Sequence, residues 1–332
     1  MKLTLSILLS CLLLTAYAGK DGKCRALAMS GGGDLGAYQM GVLKTLIYNL
    51  PEIETQWDVV SGVSAGTLNG ASLAIFAPGE EKEYVEFASA MWEGITAADI
   101  FKLWPGGIAT GVLGLAPSLL NNAPLRNLIT NVTAGRSFKR RFSIGTCDAN
   151  NAEYVVYTYE PSDTLPEDAV DTLIASAAID GVFPPVIRGE RTLVDGGSIW
   201  NTNIFSAVDG CREMGFDDSN IIVDYVLCGG QTLKKRSTDD FHALKHLLNA
   251  RDISNFYSGM ADVERSKIFY PDVNFRYTIA PSEQISEAFI PLDFSPAHKQ
   301  RCIDVGVKDA LNAIKLGEGV YGDILLDYYH AQ

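Results

Sequence analysis

The sequence predicts an α/β fold with a mostly parallel central sheet flanked by helices. From residue 24 onward, apolar runs of strand length alternate with segments whose apolar residues recur every three or four positions. Strands that alternate with helices in this way are typical of a largely parallel sheet. We find no internal repeat or linker-like tract in the 332 residues, and we therefore predict one domain over residues 19–332.

The first two strands and the helices that follow them are clearly marked. An apolar run at 25–30 predicts a strand, and a glycine-rich turn separates it from a helix that ends at Pro51. A short strand is predicted at 58–61, followed by a helix of small residues at 65–76 that Pro78 ends. The chain therefore passes twice from strand to helix through a turn rich in small residues.

The same alternation continues through the rest of the chain. Ser295 and Pro296 form a favourable N-cap and first turn for the last predicted helix. We predict strands at 142–147, 153–159, 191–194 and 220–228, and helices at 169–178, 241–268 and 295–314.

Composition and charge exclude several classes of protein. With 47% hydrophobic and 20% charged residues, the chain has the composition of a folded globular protein. The formal net charge of −13 argues against nucleic acid as a partner and against a polybasic membrane anchor, because both need clustered cations. Contact with lipid through an apolar patch stays open.

Residues 1–18 have the pattern of a secretory signal peptide. Lys2 precedes an apolar run at 3–14, and Ala16 and Ala18 provide a small-x-small cleavage site. The run is too short to span a bilayer, and the alternative is a buried N-terminal strand. We expect a protein that is secreted or resides in the lumen of the secretory or endolysosomal pathway.

The cysteines and one sequon fit that expectation. The chain has six cysteines, of which Cys11 lies inside the predicted signal peptide, and none belongs to a C-x-x-C pair that would indicate zinc or redox chemistry. An odd number remains, so at least one thiol is unpaired, and spacing does not reveal the pairing. Asn131 begins an N-x-T sequon, which predicts a glycoprotein.

The sequence GVSAG at 62–66 predicts a nucleophile elbow. It lies between a short predicted strand and a helix of small residues, which is the context that a G-x-S-x-G nucleophile requires. Gly62 and Gly66 allow the strand and helix backbones to approach closely. The helix N-terminus adds partial positive charge near Ser64, so we predict Ser64 as a nucleophile. The alternative is a serine in an ordinary turn.

A run of glycines follows the first predicted strand. Gly31, Gly32 and Gly33 begin a G-x-G-x-x-G pattern, which also occurs in dinucleotide-binding folds. A nucleotide fold would end its second strand in an acidic residue for the ribose, whereas this second strand leads into GVSAG. We therefore predict an oxyanion hole, in which backbone N–H groups stabilise the charge of an acyl-transfer intermediate.

Asp195 follows a predicted strand and precedes Gly196 and Gly197. By itself a D-G-G sequence usually marks a turn, but a carboxylate at a strand end is placed to take the proton of a serine. A histidine base is the alternative. All four histidines follow Asp195, and none lies in a clear strand-end loop, so we expect them to be structural or on the surface.

Taken together, these motifs resemble the patatin-like phospholipase family. The resemblance is carried by SGGGDLGAYQMGVL at 30–43, GVSAG at 62–66 and DGG at 195–197. The sequence ASAAIDGVFPPV at 175–186 is similar to the family's segment leading to its catalytic aspartate. The resemblance implies a three-layer fold related to cytosolic phospholipase A2. It also implies hydrolysis of acyl esters in phospholipids, galactolipids or neutral glycerides.

The resemblance also implies a role for each site residue. Ser64 would be acylated, Asp195 would act as the base without a histidine, and Gly31, Gly32 and Gly33 would form the oxyanion hole. No metal or other cofactor would be needed. The implied partners are a phospholipid or other acyl-lipid substrate and, transiently, a membrane or micelle surface.

One position departs from the family pattern. The family usually has Arg or Lys immediately before the last glycine of its glycine-rich loop, whereas this chain has Leu35, preceded by Asp34. The missing cation predicts weakened catalysis. A catalytically silent lipid-binding or storage protein is therefore the alternative function, and an α/β-hydrolase esterase with a histidine triad is a third.

The segment at 100–116 is rich in glycine and apolar residues. Lys102 and Pro105 make it a poor membrane span. It is either an ordinary buried loop or helix pair, or a mobile apolar lip over an acyl-binding groove.

Overall fold

An eight-stranded sheet lies at the centre of the fold. The computed structural model describes residues 19, 21–231, 233, 237–240, 243–285 and 290–332, and the predicted signal peptide at 1–18 lies outside these residues. The strands are β1 (Cys24–Met29), β2 (Val59–Val63), β3 (Arg141–Asp148), β4 (Glu153–Tyr159), β5 (Val186–Arg188), β6 (Arg191–Asp195), β7 (Ile221–Val226) and β8 (Asn274–Ile279).

Five strands form a parallel sheet in the order β3-β2-β1-β7-β8. Beyond them, β4 and β6 pair antiparallel with β3, and β5 pairs antiparallel with β6. The predicted α/β fold with a mostly parallel sheet is confirmed. Strand β8 was not predicted, because its polar residues do not give the apolar pattern of a buried strand. Arg276 is nevertheless buried there, since it donates hydrogen bonds to Asp224 of β7 and to Glu54.

Strands β2 and β6 share one edge of β3 and approach each other along it. Strand β4 pairs with β3 over Phe142–Asp148 and fills the other edge. On the shared edge, β2 ends opposite Gly145, and β6 ends with Asp195 opposite the next residue, Thr146. The carboxyl ends of β2 and β6 therefore meet, although the two strands are far apart in sequence.

Helices cover both faces of the sheet. One face carries α1, α2, α3 and α10, which contact one another, whereas α8 contacts β1, β2 and β7 and packs with α9 on the other face. Among the described residues, no helix is long and apolar enough to cross a membrane. The helices are α1 (Gly36–Asn49), α2 (Ala65–Ala74), α3 (Glu81–Gly94), α4 (Ala97–Ile100), α5 (Ile108–Val112), α6 (Ala123–Thr133), α7 (Ala169–Ser176), α8 (Ile204–Glu213), α9 (Ala243–Phe269), α10 (Pro296–Leu316) and α11 (Val320–His330).

A disulfide links the sheet to α8, one of the helices that cover its second face. Cys24 of β1 and Cys211 of α8 are bonded, with their Cα atoms 5.8 Å apart. Cys147, Cys228 and Cys302 are free and buried. The structure thus supplies the pairing that sequence spacing left open.

Candidate active site

Ser64 occupies a strained turn between β2 and α2. Its φ of 53° and ψ of −122° lie in a region that residues with a side chain rarely adopt. Strain of this kind costs about 1–3 kcal/mol and persists only where the surroundings impose it. The residue is 6% exposed and lines a cavity. The predicted strand–serine–helix context is therefore present.

The two flanking glycines permit this turn because no Cβ fits at either position. A Cβ on Gly62 would lie 2.5 Å from the carbonyl oxygen of Gly66, and a Cβ on Gly66 would lie 2.3 Å from that of Met29 in β1. Both distances are far below van der Waals contact. The glycine spacing of the motif is thus a packing requirement of the elbow.

Asp195 lies beside Ser64 because β6 ends where β2 ends. The carboxyl group is 7% exposed, and its Oδ1 accepts the Gly197 N–H at 2.8 Å. Burial raises the pKa of Asp195 to about 7, and the nearby charge of Asp180 acts in the same direction. Hydrogen bonds from the Ser64 hydroxyl and the Gly197 N–H oppose this rise in pKa. A base with a pKa near 7 is well matched to accepting a serine proton at neutral pH.

The glycine-rich loop packs directly against Ser64. A Cβ on Gly31 would lie 2.8 Å from the Cβ of Ser64, and Gly33 has a φ of +59°. The Gly31 N–H donates to the Asn201 carbonyl oxygen at 3.1 Å, and the Asn201 amide donates back to the Gly31 carbonyl oxygen, also at 3.1 Å. Within the described ranges, the N–H groups of Gly32 and Gly33 donate no hydrogen bond. Neither donor is therefore engaged by a described residue, and Gly33 lines the same cavity as Ser64.

Ser176 and Asn201 hold the site together, and sequence reasoning assigned neither a role. The Ser176 hydroxyl accepts the Ser64 N–H at 3.0 Å and donates to the Gly145 carbonyl oxygen of β3 at 2.7 Å. Asn201 joins the glycine-rich loop to the chain just beyond Asp195. Ser176 lies within the ASAAIDG segment, but nothing in its local spacing indicates a contact with the elbow.

Asp34 and Leu35 occupy the positions that depart from the family pattern. Asp34 is buried, accepts the Asp293 N–H at 2.6 Å and lies 3.3 Å from Nε2 of His298. Burial raises the pKa of the Asp34 carboxyl, and the Asp293 N–H and His298 oppose that rise. The Leu35 side chain packs against the hydrophobic core. Asp34 thus fixes the glycine-rich loop to the segment that leads into α10.

Two of the four histidines have partners other than Ser64 and Asp195. His298 pairs with Asp34 and with the Cys302 thiol, and His330 pairs with Glu264 at 2.6 Å. His246 lies on α9, and His242 lies outside the described residues.

A largely apolar cavity opens beside Ser64 and Gly33. Helix α2 forms one wall, through the helical face that carries Ala65, Leu68, Ser72 and Ile75. At a rise of 1.5 Å per residue, the wall from Ser64 to Ile75 is roughly 16 Å long. Helices α3, α6 and α7 and several loop residues supply the remaining walls. The largely apolar lining of the cavity suits a fatty acyl chain.

Comparison with known proteins identifies the class of this site. A family model described as patatin-like phospholipase matches residues 27–208, from β1 to the middle of α8, which is more than half of the chain. The fold and the match define a lipid hydrolase. The chain belongs to the patatin-like phospholipase family. No curated protein sequence matches it.

Three solved structures resemble the chain at low sequence identity. VipD from Legionella pneumophila is 12% identical, with 91% of this chain and 70% of VipD covered, at a TM-score of 0.44. The type III effector protein ExoU is 13% identical, with 88% and 53% covered, at a TM-score of 0.40. Human GIVD cytosolic phospholipase A2 is 9% identical, with 91% and 60% covered, at a TM-score of 0.44. The chain spans only part of each, and the family assignment rests on the match over 27–208.

Proposed function

We propose that the chain is a serine acyl hydrolase of the phospholipase A type, with Ser64 as nucleophile and Asp195 as base. The proposal is carried by one observation: a strained serine, a buried carboxyl group and an apolar cavity coincide. A neutral serine hydroxyl is a weak nucleophile and needs a base. The nearby carboxylate of Asp195 meets that need.

The proposed reaction has two halves. Ser64 Oγ attacks the ester carbonyl carbon while Asp195 takes its proton, and the intermediate collapses to an acyl-enzyme as that proton passes to the departing alcohol oxygen. Water then attacks the acyl carbon and gives its proton to Asp195. Collapse of the second intermediate releases the fatty acid, and the proton returns to Ser64 Oγ.

We propose Gly32 and Gly33 as the donors of the oxyanion hole. Among the described residues these N–H groups donate no hydrogen bond, which supports this role, and loss of one such donor typically costs about 10²–10³ in rate. Gly31, the third predicted donor, already donates to Asn201 and is therefore assigned to positioning the loop. The N-terminus of α2 adds partial positive charge beside the developing oxyanion.

The proposed substrate is a phospholipid or another acyl lipid presented at a membrane or micelle surface. The apolar cavity supports a long acyl chain, because binding there removes apolar surface of both chain and protein from water. The net charge of −13 supports the exclusion of nucleic acid as a partner. We infer that no metal or other cofactor takes part, because Asp195 supplies the base.

A silent lipid-binding protein on the same fold is the second candidate function. The observation that favours it is Leu35, which packs against the core where the family usually carries a cation. Both functions use the same cavity. They differ in whether Ser64 reacts covalently.

We also propose one domain over residues 19–332 that follows a signal peptide into the secretory or endolysosomal lumen or out of the cell. The Cys24–Cys211 disulfide supports an oxidising compartment. Asn131 is exposed on α6, which supports its use as a glycosylation site. Strands β7 and β8 lie beyond the family match but pair in the same sheet, which supports a single domain.

Covalent labelling with a fluorophosphonate, followed by intact mass, tests the proposal. The parent protein should gain one adduct, Ser64→Ala none, and Asp195→Asn should react at least about 10²-fold more slowly. Absence of labelling in folded parent protein would favour the silent binding protein. Parent-like labelling of Asp195→Asn would remove Asp195 from the mechanism.

A further inference from the structure

We propose that the segment between Lys102 and Asn121, called the apolar loop below, docks on the surface of a lipid aggregate that carries no net charge. Docking would bring the opening of the cavity next to that surface. The inference rests on the proposed function, since an acyl lipid must reach Ser64 from such a surface. It adds the surface that makes contact and the kind of lipid that this surface prefers.

The apolar loop exposes large aliphatic side chains that a folded protein usually buries. Leu113 and Leu115 are 70% and 75% exposed, and Val112 is 68% exposed. Leu103 and Ile108 are also exposed, and α5 within the loop has no buried residue. Clustered aliphatic exposure of this kind marks an interaction site. The sequence-based alternative of an ordinary buried loop is therefore wrong for these side chains.

The apolar loop is also free of charge. Between Lys102 and Arg126 the sequence contains no Asp, Glu, Lys, Arg or His, in a chain of which 20% is charged. A charged side chain would have to keep its water on entering a lipid surface, whereas an aliphatic one gains from leaving water. The loop therefore has a composition suited to insertion between lipid headgroups.

The apolar loop is attached at its base to the walls of the cavity. Paired backbone hydrogen bonds of 2.9 Å between Lys102 and Asn121 close it. Leu119 and Leu120 donate to the carbonyl oxygens of Gly181 and Val182, each at 2.8 Å. Their neighbour Phe183 lines the cavity, as does Ile100 immediately before the loop. A lipid surface that binds the loop would therefore lie close to the walls of the cavity that contains Ser64.

Charge decides which lipid surface fits. The chain carries a net charge of −13, and the apolar loop offers no cation to attract anionic headgroups. An anionic surface would repel the protein at low salt, whereas a zwitterionic surface would not. Binding driven by aliphatic insertion should therefore favour zwitterionic lipid and depend little on salt.

Vesicle co-sedimentation of the full chain carrying Ser64→Ala tests this proposal independently of catalysis. Phosphatidylcholine vesicles should bind it equally at low salt and at about 1 M salt. Added phosphatidylglycerol should weaken binding at low salt. Leu113→Asp with Leu115→Asp should weaken binding by at least about tenfold. Ile268→Asp is the matched control, because Ile268 is 67% exposed on α9, on the other face of the sheet, and should leave binding unchanged.

The outcomes separate this proposal from the proposed function. In the Ser64-containing protein, Leu113→Asp with Leu115→Asp should leave fluorophosphonate labelling unchanged while hydrolysis of vesicle lipid falls. Vesicle binding that survives both substitutions would overturn the docking surface and leave the hydrolase proposal intact. Parent dimers that become monomers on substitution, without vesicle binding, would assign the loop to a second copy of the chain and overturn lipid docking.

Discussion

Ser176 holds the backbone of Ser64 in its strained turn. The Ser176 hydroxyl accepts the Ser64 N–H and is also 2.8 Å from the Thr67 hydroxyl, while its own proton goes to the Gly145 carbonyl oxygen. Gly145 lies on β3, opposite the end of β2 and next to the residue that pairs with Asp195. One buried hydroxyl thus connects the elbow to the strand that positions the carboxylate.

We expect Ser176→Ala to slow fluorophosphonate labelling by roughly tenfold or more. The substitution leaves the Ser64 N–H without its acceptor, and an unsatisfied buried donor costs about 1–3 kcal/mol. Ser143→Ala is the matched control, since it removes a buried hydroxyl of β3 whose one hydrogen bond among the described residues is to Thr158, at 3.0 Å. Equal labelling rates for the two variants, at equal melting temperature, would argue against a positioning role for Ser176.

The rate of hydrolysis should rise with pH through about 7 and then level off. Asp195 has a pKa of about 7, and below that pH the protonated carboxyl cannot take the Ser64 proton. The measurement is kcat/KM against pH with a soluble, uncharged short-chain ester. A profile that stays flat between about pH 5 and pH 9 would contradict the assignment of Asp195 as base.

Asp195→Asn should stabilise the folded protein at alkaline pH. The folded-state pKa of about 7 exceeds the ordinary value of 3.8, so the folded state holds the proton more tightly. The bound proton of Asp195 contributes to the free energy of unfolding in full below about pH 4, and this contribution is lost as the pH rises through about 7. The amide stays neutral, and the variant should gain up to roughly 4 kcal/mol above pH 7.

Thermal unfolding of both proteins across this pH range measures the difference. The gap in melting temperature between Asp195→Asn and the parent should open as the pH rises, and it should be small near pH 4. A gap of constant size would mean that burial of the Asp195 charge is not its cause.

Ser72→Phe should shift the preference of the enzyme toward short acyl chains. Ser72 lies on the cavity-lining face of α2, eight residues beyond Ser64, so a bulky ring there fills the distal half of the cavity. Esters of short acids should be cleaved at near-parent rates, whereas long-chain esters should lose about tenfold or more in kcat/KM. Equal losses on both substrates would place the acyl chain elsewhere.

Removal of the Cys24–Cys211 disulfide should lower stability substantially. The two residues are 187 positions apart, and closing so long a loop restricts the unfolded chain by up to about 5 kcal/mol in the entropic treatment. Cys24→Ala with Cys211→Ala should therefore lower the melting temperature, and a reducing agent should lower that of the parent but not of the variant. Thiol titration of the unfolded parent provides the control for the free cysteines.

Local patterns predicted the elements around the elbow well. Strand β2, helix α2 and Ser64 between them follow from GVSAG, because the turn depends on glycines that are its sequence neighbours. The contacts that complete the site come from distant parts of the chain. Ser176 is 112 residues from Ser64, and Asn201 is 170 residues from Gly31, so no local period or spacing indicates them.

Strand β8 illustrates the same limit in the fold. Its sequence NFRYTI reads as partly polar, yet five of its six residues are buried. Arg276 is tolerated there because Asp224 on the neighbouring strand accepts two of its N–H groups, at 3.0 and 2.6 Å. A charge that is neutralised only in the folded state cannot be distinguished from a surface charge in the sequence.

The carboxyl ends of β2 and β6 approach each other along β3, and this arrangement has a further consequence. Ser64 and Asp195 are both fixed by the register of their strands on β3, and the stretch of chain between α2 and β3 leaves the sheet to build α3, α6 and the apolar loop. That intervening stretch can lengthen, shorten or change its chemistry without displacing Ser64 from Asp195. The architecture therefore separates reactivity from selectivity, and new lipid preferences can evolve by exchanging one contiguous module of the gene.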